Sequence, residues 1–151
     1  MLKRTSNQLS LFSSLEYMLN HSHSLYRLAN KINWRRFEDA FSPLYCRTNG
    51  SPAHPIRLMC GLLILKHVRN ISDESVVLQW SENAYYQYFC GQLEFLPKEP
   101  CEVSDLVRFR NRIGEQGIEI ILAESIRVNT ENDDEDYFGT AFIDSTVQEK
   151  N

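Results

Sequence analysis

Pro55-Ile56-Arg57-Leu58-Met59-Cys60-Gly61-Leu62-Leu63-Ile64-Leu65-Lys66-His67-Val68-Arg69 is the stretch on which the fold turns. Proline suits the first position of a helix, where its missing N–H is not needed, and Ile56, Met59, Cys60, Leu62 and Leu63 follow at helical spacing. Leu58, Ile64, Leu65 and Val68 make that helix apolar around most of its circumference. It is therefore expected at the centre, surrounded by other helices, with Arg57, Lys66 and Arg69 on its wetter side. Asn70-Ile71 then makes a short turn. Ser72 caps a second helix whose Asp73 and Glu74 favour the positive end of its dipole, and whose Val76, Val77 and Trp80 face inward. Two helices joined by so tight a turn resemble a helix-turn-helix, although any helical hairpin shares this pattern.

Upstream, residues 1–21 read as a loose polar segment with one helical turn of apolar pattern at Leu15, Met18 and Leu19. Leu25, Leu28, Ala29 and Ile32 keep a helical period. Asn33 is placed to cap a further helix carrying Trp34, Phe37, Ala40 and Phe41, which Pro43 closes. Residues 46–54 contain Asn-Gly and Ser-Pro and read as a loop. Downstream, residues 83–91 form a short aromatic helix ended by Gly91, a residue free to adopt the left-handed conformation. Its aromatic rings serve either as core or as a surface on which bases stack. After Pro97 and Pro100, Ser104 and Asp105 open a helix from Leu106 to Ile113. Gly114 to Gly117 breaks it before Ile118, Ile121, Leu122, Ser125 and Ile126 begin another.

The chain has 151 residues, 42% of them hydrophobic, enough for one ordinary domain with tails. Its formal charge of -4 conceals a division. Residues 1–114 hold fourteen Lys and Arg against ten Asp and Glu, a net of +4, whereas residues 115–151 sum to -8. A basic body with an acidic tail fits a first part that meets phosphate, or simply a solvated acidic end. Cys46, Cys60, Cys90 and Cys101 include no C-x-x-C pair and follow no secretory segment, so free thiols and a cytoplasmic location are expected. Cys46, His54, Cys60 and His67 match no common zinc spacing. The longest apolar run, Leu62 to Leu65, cannot span a bilayer, so no membrane partner is expected.

The helix opened by Ser104 concentrates charge. Arg108 and Arg112 stand four residues apart on one face, with Arg110 between them. Like charges so close require an offset, supplied either by carboxylates such as Asp105 and Glu115 or by a phosphate backbone. Residues 131–136 contain five carboxylates and read as an acidic linker. Beyond it, residues 137–151 include the β-branched and aromatic stretch Tyr137 to Val147, which has strand character and is followed within its own run by Asp144.

Several of these segments resemble transposases of the insertion-sequence-five type. The similar stretches are Pro55 to Met59 running into Gly61 to Lys66, then Ser72-Asp73-Glu74, Trp80 and Glu82-Asn83, Tyr86-Gln87-Tyr88-Phe89-Cys90-Gly91, and Arg108-Phe109-Arg110-Asn111-Arg112-Ile113-Gly114. They fall in order across roughly residues 22–128. The resemblance implies a catalytic domain of RNase H-like fold with three metal-binding acids. It matches Phe142-Ile143-Asp144-Ser145-Thr146 to that domain's first strand and Asp144 to the first acid. The family enzymes resemble two-metal phosphoryl transferases that use magnesium. The sequence stops at Asn151, where the family continues with the other two acids, and Asp144 alone is expected to bind magnesium weakly.

The expected architecture is thus mainly α: a helical, DNA-binding bundle over residues 22–130 with a helix-turn-helix-like pair, the acidic linker, and one strand of a truncated RNase H-like domain. Arg108, Arg110, Arg112, Arg57, Lys66 and Arg69 are the expected DNA contacts, with the helix after Ser72 a further candidate. DNA at the ends of the element is the expected partner, no cofactor is expected for these residues themselves, and no catalysis is expected of them. Two other readings compete: a remnant that pairs with itself or with full-length transposase through apolar helix surfaces, and an unrelated helical adaptor.

Overall fold

A helical stretch that is apolar on every side has to be enclosed, and residues 58–65 form such a stretch. In the computed structural model, which describes residues 14–45 and 53–131, α4 (Ile56–Arg69) buries every side chain from Leu58 to Leu65. Each fully buried Leu or Ile here stabilises the fold by about 2 kcal/mol. Around α4 pack α3 (Trp34–Phe41), α5 (Asp73–Glu82) and the long α7 (Val103–Thr130). Outside these lie α2 (Ser24–Lys31) against α6 (Ala84–Phe89), and a single turn, α1 (Leu15–Met18). The described residues thus form a helical bundle whose β pairing is limited to one antiparallel bridge, Ser14 with Glu94. No helix among them is long and apolar enough to cross a membrane. The strand expected over residues 137–151, Asp144 with it, lies outside the described residues, as does the linker beyond Glu131.

The caps explain most of the boundaries. Ser72 accepts the Ser75 N–H at 3.1 Å and starts α5, and Asn83 accepts from Tyr85 and Tyr86 to start α6. Asn70, with φ of 52°, ends α4 in the left-handed conformation. Pro55 sits one position earlier than expected, as the N-cap of α4. His23 caps α2 through Nδ1, which accepts the Leu25 N–H at 3.1 Å. Its ring stacks on Tyr85 at 3.8 Å, and burial followed by the Arg69 charge lowers its pKa, which suits a neutral acceptor.

Three expectations are corrected. Residues 14–21 are not a loose lead-in: Leu15 is wholly buried and its N–H donates to the Leu93 carbonyl at 2.9 Å. Asn33 caps α3 without its side chain, and its backbone N–H instead donates to Glu124 at 2.9 Å. The break expected over Gly114 to Gly117 is a one-residue kink. Helix α7 begins at Val103, runs to Ile113, turns at Gly114 with φ of 63° and ψ of -168°, and is helical again from Glu115. That backbone region is essentially reserved for glycine.

Two buried polar side chains that the pattern of apolar residues gives no sign of hold the layers together. Glu124, 1% exposed, carries the Asn33 N–H and two contacts from Arg127, with Arg36 at 3.6 Å. Burial pushes its pKa up, but Arg127 and the Asn33 N–H outweigh this and hold the carboxyl below its usual range. Gln87, wholly buried, donates from Nε2 to the carbonyls of Trp80 and Leu96 at 3.0 and 2.8 Å and accepts the Leu96 N–H at 2.7 Å. It binds the segment after α6 to the end of α5 as a neighbouring strand would. Gln87→Leu keeps the volume, removes one of two bonds from each of the Trp80 and Leu96 carbonyls and leaves the Leu96 N–H without a partner, so it is expected to cost about 2 kcal/mol, read from denaturant midpoints. A cost within 0.5 kcal/mol of zero, roughly the effect of a neutral surface change, would show that water replaces these bonds.

Candidate nucleic-acid interface

The first half of α7, Val103 to Ile113, determines which cations reach solvent. Leu106, Phe109 and Ile113 point into the core, so residues 104, 107, 108, 111 and 112 are left outside. Glu102, not Ser104 as expected, caps this helix, and its N–H donates to Asp105 at 2.9 Å. Asp105 also accepts from Arg108 at 2.9 Å and lies 3.2 Å from His54 Nε2. Arg108 first, and then the Glu102 N–H, lower its pKa. The Arg108 side chain is nevertheless 68% exposed, and a pair this wet contributes little to stability, so a phosphate can compete for the guanidinium.

Arg112 lies on the same outward face. Its guanidinium carbon sits 4.4 Å from the centre of the Tyr45 ring, which fixes the group by its flat face. Arg110 does not join them. It turns inward and grips Asp73 with two hydrogen bonds of 3.1 and 2.9 Å, while Lys66 reaches the same carboxylate at 2.8 Å. The Arg110 bonds, with help from Lys66, push the Asp73 pKa down to about 2. Asp73, expected as a helix-dipole residue, is therefore the brace joining α4, α5 and α7.

The other expected DNA contacts divide in the same way. Arg57 is half-buried, 4.6 Å over the Trp34 ring, and donates to the carbonyls of Phe89 and Tyr88 at 3.3 and 3.4 Å. It caps the carboxyl end of α6, where a cation suits the negative end of the helix dipole, and burial lowers its pKa. Gly91, with φ of 91°, passes so close that a Cβ there would come within 2.8 Å of Arg57 Cδ. Arg69 is exposed at the end of α4, 5.9 Å from the Tyr86 ring. Of the six cations, then, Arg108, Arg112 and Arg69 face water, and Arg57, Lys66 and Arg110 work inside the fold.

Helix α5, the second member of the helix-turn-helix-like pair, carries Asp73, Glu74 and Glu82 and no Lys or Arg. Its solvent side shows Glu74, Leu78 and Glu82, a poor match to a phosphate backbone. Among the rings of α6, Tyr86 and Phe89 are buried, and Tyr88 stacks on Tyr26 at 4.6 Å, so they belong to the core rather than to a base-stacking surface. Cys60, Cys90 and Cys101 are free and buried thiols, and burial raises all three pKa values. No group of three or more His, Cys, Asp or Glu among the described residues is arranged to hold a metal, and Cys46 lies outside them.

The family whose members share this sequence is described as a transposase domain (DUF772), and residues 13–112 match it. The chain belongs to that transposase-domain family. A protein of Rhizobium meliloti named "Uncharacterized protein ORF8 in nfe locus" is 41% identical over 138 residues, covering 90% of this chain and 66% of its own length. The chain thus spans slightly less than two thirds of that relative. No solved structure matches it. The family match takes in the outward face of the first half of α7 as far as Arg112 and ends two residues before the kink.

Because the folded pKa of Asp73 lies below its unfolded value, its contribution is fully present above 3.8 and is lost as pH falls toward about 2. The size of the shift corresponds to about 2 kcal/mol. Wild type and Asp73→Asn are expected to differ by about this much near neutral pH and to converge in acid, measured by urea midpoints across a pH series. A difference that stays constant with pH would show that the brace is not ionic.

Proposed function

We propose that this chain is the DNA-binding part of a transposase and that it holds the ends of its element on the outward face of α7. The observation that carries the reading is the division of the arginines: Arg110 is neutralised internally by Asp73, whereas Arg108 and Arg112 are presented together on the solvent side of one helix. In a chain of a transposase-domain family, two exposed guanidiniums one turn apart suit adjacent phosphates of a duplex. Arg69 extends the basic surface, and α5 does not take part.

The finer assignment to the insertion-sequence-five type, with a catalytic domain of the three-acid class, rests on the motifs quoted above. Asp144 is its first metal-binding acid. The parent enzyme would use magnesium at such a site, and one carboxylate does not hold two ions. Residues 1–151 by themselves are therefore expected neither to cut nor to join DNA. Incubation with end-bearing duplex and magnesium should leave the DNA intact, and specific nicking at the element end would overturn the assignment.

A second reading, association with an intact transposase chain, is favoured by Met18 and Leu93, which are 62% and 80% exposed; Leu93 accepts the Leu15 N–H through its carbonyl, and Met18 ends the turn that Leu15 begins. Fluorescence anisotropy separates the two. The protein is titrated with a duplex from the element's terminus and with a scrambled duplex, at about 50 and about 200 mM salt. DNA binding through α7 should weaken steeply with salt, and Arg108→Ala and Arg112→Ala should each flatten the log–log salt slope by about 1. Apolar association between chains would persist or strengthen at high salt. Absence of any binding to either duplex in low salt would remove the DNA-binding reading.

A further inference from the structure

Two side-chain rows run along α7 between its start and the Gly114 kink. Arg108 and Arg112 form one; Val107 and Asn111, also four residues apart, form the row beside it. All four are exposed. Asn111 is the polar member of the second row, and its carboxamide makes no hydrogen bond among the described residues. Val107 is 38% exposed although apolar.

The two rows differ in chemistry. Guanidiniums serve phosphates. A carboxamide offers an acceptor and a donor side by side, which matches the N6 and N7 edge of adenine, and a small apolar side chain matches the methyl group of thymine. Phosphate contacts fix position without carrying sequence information, so a helix that reads sequence needs groups of the second kind next to the first. The geometry also sets a limit on the helix that enters. From Val103 to Ile113 it is about 16 Å long, and a major groove about 12 Å wide admits such a segment. Beyond the kink the exposed side carries Glu115 and Glu119, which phosphates repel.

On the DNA-binding reading given above, we infer that Asn111 is a base-reading residue. Its carboxamide pairs with an adenine edge in the major groove, Val107 rests against a neighbouring thymine methyl, and Arg108 and Arg112 grip the flanking phosphates. Specificity then resides in the Val107–Asn111 row and salt-dependent affinity in the Arg108–Arg112 row.

The test is selection from a pool of duplexes with a randomised core, carried out with the full chain as wild type, Asn111→Ala and Arg108→Ala. Circular dichroism establishes that each variant keeps its helices, as expected for exposed positions. Wild type should enrich a motif with a fixed adenine. Asn111→Ala should lose preference at that position by about tenfold with an unchanged salt slope, whereas Arg108→Ala should keep the motif and bind more weakly. Replacing that adenine with 7-deazaadenine, which removes N7, should weaken wild type and leave Asn111→Ala indifferent. Enrichment of the same motif by Asn111→Ala would overturn the inference, as would binding by wild type without any preferred sequence, and in both cases the DNA-binding reading stands. Failure of wild type to retain any duplex would overturn that reading, and this inference with it.

Discussion

A helix with no polar side is the constraint from which the rest of this structure follows. Residues 58–65 of α4 are buried without interruption, so helices must approach it from several directions at once. That enclosure leaves the cations at its two ends, Arg57 and Lys66, little open water. Both find partners inside the bundle instead, Arg57 on the carbonyls that end α6 and Lys66 on Asp73. The apolar run therefore decides where charge is used for bracing, and by elimination where it remains available at the surface.

Two carboxylates set the path of α7. Asp73 holds Arg110 of its first half against α4 and α5, and Glu124 fixes its second half to the junction of α2 and α3 through the Asn33 N–H and Arg36. Buried ion pairs of this kind add little net stability compared with apolar packing, but breaking one leaves a charge stranded. Their effect here is to specify direction. Each half of α7 has its own anchor, and the only residue between the anchors with non-helical backbone is Gly114.

Local signals in the sequence located most of the helices, because caps and periods act over a few residues. Ser72, Gly91 and the apolar period of 56–68 place the corresponding elements within one or two positions. What local pattern could not give was the partner of each charge. Arg108, Arg110 and Arg112 look alike in a row, and only the position of Asp73, 37 residues away, separates the one that braces from the two that face out. Arg57 was misplaced for the same reason, since its partners are backbone carbonyls on another helix. Glu124 and Gln87 drew no notice because a polar residue on an apolar face gives no hint of what it will meet. Asn111 could have been picked out: it lies three residues after Arg108 and four after Val107, on the face opposite Phe109.

The single residue at which α7 turns has a mechanical consequence. From Gly114 to Glu131 the helix is a stiff rod about 26 Å long, clamped near its middle by Glu124 and packed into the core through Ile121 and Val128. The rod is not free to swing about Gly114: a rotation of roughly 10° there would move its far end by about 4 to 5 Å and would pull Glu124 away from Asn33 and Arg36 and lift Ile121 and Val128 out of the core. The line along which α7 reaches Glu131 is therefore fixed twice, by the bend at Gly114 and by the Glu124 anchor, so that a side chain introduced at position 114 would have to break one or the other.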